Sequence, residues 1–421
     1  MDYFRYVDNE LWCEDVPVTK IAGDVGTPFY LYSCRTIERH FNVFDQAFAD
    51  VPHMICFSSK SNSNIAILKV LIRQGGGVDI VSGGELYRAL QAGVDPHKVV
   101  YSGVGKREDE IKFAIEKEIL MFNVESSQEI EVINACAGQV GKKARIALRV
   151  NPDVDPMTHP HISTGLKENK FGIDINRSLD EYRRAQQLDN IDIIGVDCHI
   201  GSQITEISPF LDALDRLKKL IDLLREENIN ISYLDLGGGL GITYDEETPP
   251  HPTEYATALI KRAGNIDCTF ILEPGRVIIG NAGILVSQVL YTKDSDGKNF
   301  IVVDAGMNDL IRPSLYESYH QVQPVIQNES PVITADVVGP ICESGDFIAK
   351  KRSMPQLKRG DLLAVMSAGA YGFTMASNYN SRPRVAEVLI QDDRYYVIRK
   401  RETYEDIIRG EEIPEFLKEK E

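Results

Sequence analysis

Lys60 closes the short run Cys56-Phe57-Ser58-Ser59-Lys60-Ser61-Asn62, and a lysine at a strand tip among small neighbours can form a Schiff base with a carbonyl cofactor. Alone it reads more simply as a solvated lysine opening a helix. Other strand ends change its weight: Asp79-Ile80-Val81-Ser82-Gly83-Gly84, Arg149, His199-Ile200-Gly201-Ser202, Gly237-Gly238-Gly239-Leu240-Gly241 and Glu273-Pro274-Gly275-Arg276 are unusually polar. The glycines offer closely spaced N–H groups unobstructed by a Cβ, which with an adjoining helix N-terminus suit a phosphate. Arg276 and the Ser202 hydroxyl would join that cradle. The run is equally a tight barrel turn, and it is no dinucleotide fingerprint, because Ile242 stands where Gly or Ala is required. His199 is either a core histidine or a flat face against a ring. Glu273 is either an ion-pair partner of Arg149 or Arg276, or a carboxylate that keeps a pyridine nitrogen protonated. A protonated pyridine is an electron sink for a carbanion, which suits decarboxylation.

The elements that must position these residues alternate. Strand-like runs at 54–59, 78–82, 99–103, 119–124, 144–150, 192–200, 232–236 and 269–273 are separated by amphipathic stretches. One of these carries Leu211, Leu214, Leu217, Leu220 and Leu224 at helical spacing. Eight strands with helical crossovers predict an α/β fold, a closed (β/α)₈ barrel over 29–280, with an extra helix at 36–49 ahead of the first strand. Such barrels carry their chemistry at the C-terminal strand ends, where all the polar residues above would lie. The Pro- and Gly-rich segment 151–172 interrupts the rhythm and reads as a lid or binding loop.

Beyond residue 280 the runs 284–291, 300–303, 332–338, 362–366, 384–390 and 395–399 read as strands between turns, giving a mainly β second domain from 281–421 with 1–28, the latter irregular or strand-like. The charged tail 409–421 reads as a solvated helix.

Composition excludes several classes. The 46 basic and 63 acidic residues leave a net charge of −17, which repels nucleic acid and anionic membranes in the absence of a basic patch. No run reaches bilayer length, and the first residues lack a signal-peptide layout, so a cytoplasmic protein is expected. Seven scattered cysteines without metal-ligand spacing predict buried thiols, with neither a disulfide framework nor a structural metal.

At these residues the chain resembles the fold-type III pyridoxal-phosphate decarboxylases over essentially its full length. The resemblance implies pyridoxal 5′-phosphate as cofactor, with Lys60 as its Schiff-base lysine, His199 against the ring and Glu273 at the pyridine nitrogen. Asp79, Ser202, Gly238, Gly239, Pro274, Gly275 and Arg276 are the further expected cofactor contacts. The diaminopimelate-acting branch is marked by Asn151-Pro152-Asp153-Val154 through Ser163-Thr164-Gly165-Leu166-Lys167-Glu168-Asn169-Lys170-Phe171-Gly172, and by Arg312-Pro313-Ser314-Leu315-Tyr316. It is marked equally by Gly339-Pro340-Ile341-Cys342-Glu343-Ser344-Gly345-Asp346 and by Gly369-Ala370-Tyr371-Gly372 running on to Pro383. The implied substrate is diaminopimelate, converted to lysine and CO2. Arg276, Arg312, Tyr316 and Glu343 would hold it, Cys342 would donate the proton, and Tyr371 would touch cofactor and substrate. The chemistry is coherent, since Arg312 can grip a distal carboxylate bidentately and Glu343 the neighbouring ammonium. A homodimer with shared sites is implied, Lys60 of one subunit meeting Cys342 and Glu343 of the other.

In one departure, Ser58 and Ser61 stand where the family usually has alanine beside the lysine. An ornithine or arginine decarboxylase of the same fold is the nearest competing reading, and it would have no use for Arg312. A racemase would favour a cation where Glu273 stands, and a non-catalytic cofactor carrier would leave the β domain unexplained.

Overall fold

The structure is a computed structural model describing residues 2–155 and 170–418; of the expected lid, 151–172, residues 156–169 lie outside the described residues. Two compact units divide the chain. One comprises Cys34–Ala282 with Gly369–Thr374, and the other Tyr3–Ser33, Gly283–Ala368 and the chain from Met375 onward.

The first unit is the eight-stranded parallel barrel. Its strands are β1 (His53–Ser58), β2 (Gly77–Ile80), β3 (Val99–Tyr101), β4 (Met121–Val124), β5 (Ala144–Asn151), β6 (Ile191–Asp197), β7 (Tyr233–Asp235) and β8 (Thr269–Leu272). Neighbours pair in chain order and β8 closes onto β1. Strands covered by helices bury both faces, which is why β2, β3 and β4 are buried at every residue. Cys56, Val100, Leu120, Met121, Ala147 and Ile271 form a core cluster of this unit. Gly77 is dictated by closeness: a Cβ there would strike the Lys98 carbonyl and lie 3.0 Å from Cys56 Sγ.

Helices follow the strands where caps start them. Asn64, Ser82 and Ser126 accept from backbone N–H groups at the starts of Ile65–Arg73, Gly83–Gln91 and Ser127–Val140. Each cap contributes about 1 kcal/mol. The helix Ser208–Glu226 buries Leu214, Leu217, Leu220 and Leu224 of the stripe read from the sequence, together with Ile221, while Leu211 is half-buried. The extra helix is Cys34–Ala47.

The second unit is mainly β. In its large sheet the order runs Phe347–Pro355, Val332–Val338, Lys298–Val303, Gly283–Ser295, Phe29–Ser33, Ala386–Gln391 and Arg394–Arg399. The turn at Asp296-Gly297 has φ of +50° and +81°, the twist that a tight hairpin demands. The N-terminal residues form a three-stranded antiparallel sheet, Phe4–Val7, Glu10–Cys13 and Val16–Pro17.

Three sequence expectations are corrected here. Residues 1–28 also contain the helix Val18–Val25, whose Val18 and Ile21 are buried; at 8 residues it is too short for a clear period. The strand Phe347–Pro355 went unread because Lys350-Lys351-Arg352 interrupts its alternation. No α-helix runs through 409–418, where Gly410 at φ +88° and Pro414 break the backbone; only Tyr404–Ile407 and the single 3₁₀ turn Glu415–Leu417 are helical.

Candidate active site

β1 ends at Ser58, and a one-turn 3₁₀ helix, Ser59–Ser61, carries Lys60 over the C-terminal rim of the barrel. Lys60 Nζ lies 3.1 Å from Asp79 Oδ2 at the end of β2. Burial alone would lower the lysine pKa; the negative charges of Asp79 and Glu273 outweigh it and hold the amine above its usual range. The returning segment Gly369–Thr374 docks on this turn. Tyr371 N donates to Ser61 O at 2.8 Å, and Asn62 Nδ2 to Gly369 O at 3.3 Å. Tyr371 sits at φ +55°, a backbone region that side-chain-bearing residues rarely occupy and that clusters at functional sites.

Below the lysine is an excess of buried carboxylate. Oxygens of Asp197, Asp235 and Glu273, at the ends of β6, β7 and β8, lie within 4.8 Å of one another. Burial raises all three pKa values, Asp235 to about 6; the charge of Asp79 adds to the effect on each, and that of Asp235 adds to it on Asp197 and Glu273. Asn123 Nδ2 bridges Asp235 at 3.0 Å and Glu273 at 3.3 Å, and Ser102 Oγ also reaches Glu273. Arg149 pairs with Glu125 at 2.7 Å, and no arginine lies within ion-pair distance of Glu273 among the described residues. Glu273 is therefore available to a ligand cation. His199 is held neutral, chiefly by burial and further by Arg149 and Lys60; its Nδ1 accepts from Gly238 N at 3.1 Å, leaving the ring proton on Nε2.

The loops that follow the same three strands, β6, β7 and β8, are built for an anion. Arg276 Nη2 lies 3.1 Å from Ser202 Oγ and Nη1 2.6 Å from Tyr244 OH, while the guanidinium stacks 4.9 Å from the Tyr371 ring centre. Gly239 has φ +121°, and a Cβ there would come 2.6 Å from Gly201 O. At Gly275 a Cβ would meet Ser58 Cβ and Ser61 Oγ, each at 3.0 Å. The expected adjoining helix is not at the glycine run, which continues irregularly to residue 251; the short helix Arg276–Ile279 follows Gly275 instead.

The second unit gathers its own set. Arg312 opens the short helix Arg312–Tyr316, is buried, and directs Nε to His320 Nε2 at 3.4 Å and Nη2 to Ser318 Oγ at 3.3 Å. His320 Nδ1 bonds Met366 O at 2.9 Å. Ser314 Oγ donates to Gly345 O at 2.6 Å, tying this helix to the loop that bears Cys342 and Glu343. Asp346 organises that loop by accepting from Met307 N at 2.7 Å and Ile341 N at 2.6 Å. Cys342 and Glu343 are exposed, and Tyr379 OH donates to Glu343 at 2.7 Å.

Comparison with known proteins identifies the family and the fold. Residues 34–280 match the family described as pyridoxal-dependent decarboxylase, pyridoxal binding domain. The chain is 53% identical over 404 residues to diaminopimelate decarboxylase of Vibrio cholerae, covering 96% of this chain and 97% of that one. The chain belongs to the diaminopimelate decarboxylase family. Among solved structures it is similar to that of Helicobacter pylori diaminopimelate decarboxylase complexed with L-lysine, with 42% identity, a TM-score of 0.90, and 93% and 98% of the two chains covered. The M. jannaschii diaminopimelate decarboxylase in complex with L-lysine is 36% identical, with a TM-score of 0.94 and 99% of each chain covered.

For a diaminopimelate decarboxylase, the barrel brings together Lys60, Asp79, His199, Ser202, Gly238, Gly239, Glu273, Pro274, Gly275, Arg276 and Tyr371 within one unit. Arg312, Tyr316, Cys342 and Glu343 belong to the other. Pro274 earns its place through the backbone, its carbonyl accepting from Ser58 N at 3.1 Å. Sequence reasoning missed Ser102, Asn123, Asp197, Asp235 and Tyr244. The signal for Asn123, Asp197 and Asp235 was a polar residue set inside an apolar strand run. The residues fit pyridoxal phosphate. Asp79 Oδ1 and Asp197 Oδ1 are buried without a partner among the described residues, in a cluster that calls for a positive group, while Arg276 and the glycine loops face the requirements of an anion.

Proposed function

We propose that this chain decarboxylates meso-2,6-diaminopimelate to L-lysine and CO2, the last step of lysine biosynthesis, with pyridoxal 5′-phosphate held at the C-terminal rim of the barrel. The observation that carries it is the convergence on one rim of Lys60, Glu273 with no arginine within ion-pair distance among the described residues, and the Arg276–Ser202 pair. When bound, the cofactor supplies a protonated ring that takes up the electron pair left behind as CO2 departs. Lys60 is the amine placed to hold the cofactor's carbonyl, and Asp79 receives its ammonium on release. Glu273 keeps the pyridine nitrogen protonated. His199, held neutral, offers a flat face without adding positive charge. Arg276, Ser202 and the N–H groups of Gly238, Gly239 and Gly275 hold the phosphate.

Arg312 is assigned the distal carboxylate, Glu343 the distal ammonium, Tyr316, Tyr371 and Arg276 further substrate contacts, and Cys342 the proton delivered to the carbon that loses CO2. We place Cys342 and Glu343 in the site of a partner subunit, in a homodimer, because both are exposed and an isologous interface completes two sites at once. A cytoplasmic location is supported by seven free cysteines, six of them buried, as suits a reducing compartment.

The test is CO2 release by purified protein with pyridoxal phosphate from diaminopimelate, lysine, ornithine and arginine. Release from diaminopimelate alone is expected. It should vanish in Lys60→Ala, which should also lose the cofactor fixed covalently by borohydride. Equal turnover of ornithine would overturn the substrate assignment.

A further inference from the structure

Ser58, Ser59 and Ser61 neighbour Lys60 in the chain, and the first of them shares its carboxylate. Ser58 Oγ donates to Asp79 Oδ2 at 2.6 Å, and the same oxygen takes Lys60 Nζ at the longer distance of 3.1 Å. Asp79 Oδ1 has no partner among the described residues, so both donors load a single oxygen. Asp79 is fully buried and Ser58 is 3% exposed, so water cannot replace either contact. The serine is held from both ends: its carbonyl accepts from Ser61 Oγ at 2.7 Å and its N–H donates to Pro274 O at 3.1 Å.

We propose that Ser58 is a positioning residue that draws Asp79 Oδ2 toward its own hydroxyl, weakens that oxygen's grip on the Lys60 ammonium, and so keeps the amine available for the cofactor's carbonyl carbon. The proposal rests on Lys60 being the amine that carries the cofactor. In that step the neutral amine adds to the carbonyl carbon, a C=N bond forms, and the carbonyl oxygen leaves as water with the two amine hydrogens. Only the unprotonated fraction of Lys60 reacts. The charged or titratable groups facing Lys60 are Asp79 on β2, Glu85 on the helix Gly83–Gln91, His199 after β6, Glu273 after β8 and Tyr371 on the returning segment. Of these, Asp79 is the one hydrogen-bonded to the Ser58 hydroxyl, so removing that hydroxyl reads out through Asp79.

The experiment follows cofactor uptake by the apoenzyme across pH 6 to 9, by absorbance and by borohydride reduction with mapping of the labelled lysine. Ser58→Ala removes one oxygen, and Ser58→Cys keeps the volume with a weaker donor. Both are expected to displace the pH profile of uptake upward, slowing uptake at a fixed pH by ~3- to 10-fold, with Ala the larger; a tenfold loss of neutral amine corresponds to about one pKa unit. In an Asp79→Asn background the Ser58→Ala change should shift nothing, because the coupling runs through the carboxylate. A Ser58→Ala profile superposing on the wild type, or an equal slowing in the Asp79→Asn background, would overturn the proposal. Wild-type protein that fixes no cofactor on Lys60 would overturn the reading of Lys60 itself, and this proposal with it.

Discussion

At the scale of single residues, the proposed substrate selectivity is assigned to Arg312 and Glu343. Arg312 is buried and its guanidinium is oriented by His320 and Ser318, so it is pre-set for a planar carboxylate. Glu343 is exposed but steadied by Tyr379 OH. A site built to pair a substrate's polar groups loses roughly 10⁴-fold when a pair is broken, since its own groups are left unpaired. Arg312→Ala and Glu343→Gln are each expected to reduce kcat/KM for diaminopimelate toward that extent while the cofactor absorption band stays near wild type. Steady-state kinetics beside the spectrum check this, and a variant with normal kcat/KM would remove that residue from the substrate contacts.

At the scale of an element, the turn that leads into Arg312 carries a titrating carboxyl. Asp309 accepts from Gly306 N and Asn308 Nδ2, both at 3.0 Å, and its backbone carbonyl accepts from Tyr30 OH at 2.6 Å. Burial pushes its pKa up to about 7 despite those bonds. The folded chain thus keeps a proton there that the unfolded chain releases near pH 4. Stability from this group is complete below that window and is lost as pH rises through it, by up to about 4 kcal/mol between pH ~4 and ~7. Asp309→Asn abolishes the titration at a pH-independent cost, because its amide N–H2 must face one of the two donors. Urea midpoints should therefore fall for the wild type relative to Asp309→Asn as pH goes from 4 to 7. A constant difference across that range would rule the titration out.

At the scale of the whole molecule, the division of residues between two units bears on assembly. If Lys60 of one subunit works with Cys342 of its partner, Lys60→Ala and Cys342→Ala proteins are each inactive, but an exchanged heterodimer holds one intact site and one doubly defective site. Equimolar mixing with subunit exchange should restore about a quarter of wild-type activity, since about half the dimers are mixed and each has one working site. Activity that stays absent after demonstrated exchange would place each site within a single chain.

What consecutive residues encode by themselves is periodicity, and here it reached far. Alternating apolar runs and amphipathic stretches imply a parallel barrel, and a parallel barrel places every C-terminal strand end on one rim. Lys60, Asp79, His199, Glu273 and Arg276 were therefore legible as one constellation before any contact was known. Contacts that depend on strand register and ring closure could only come from the folded chain. Asp197, Asp235, Asn123 and Ser102 meet because four different strands end at one depth. Tyr371, more than 300 residues beyond Lys60 in a stretch that otherwise belongs to the second unit, returns to the barrel through Ser61 O. The Ser58–Asp79 bond joins neighbouring strands at a distance no spacing rule predicts. Local sequence determined which side chains reach the rim; the register of eight strands decided which of them touch.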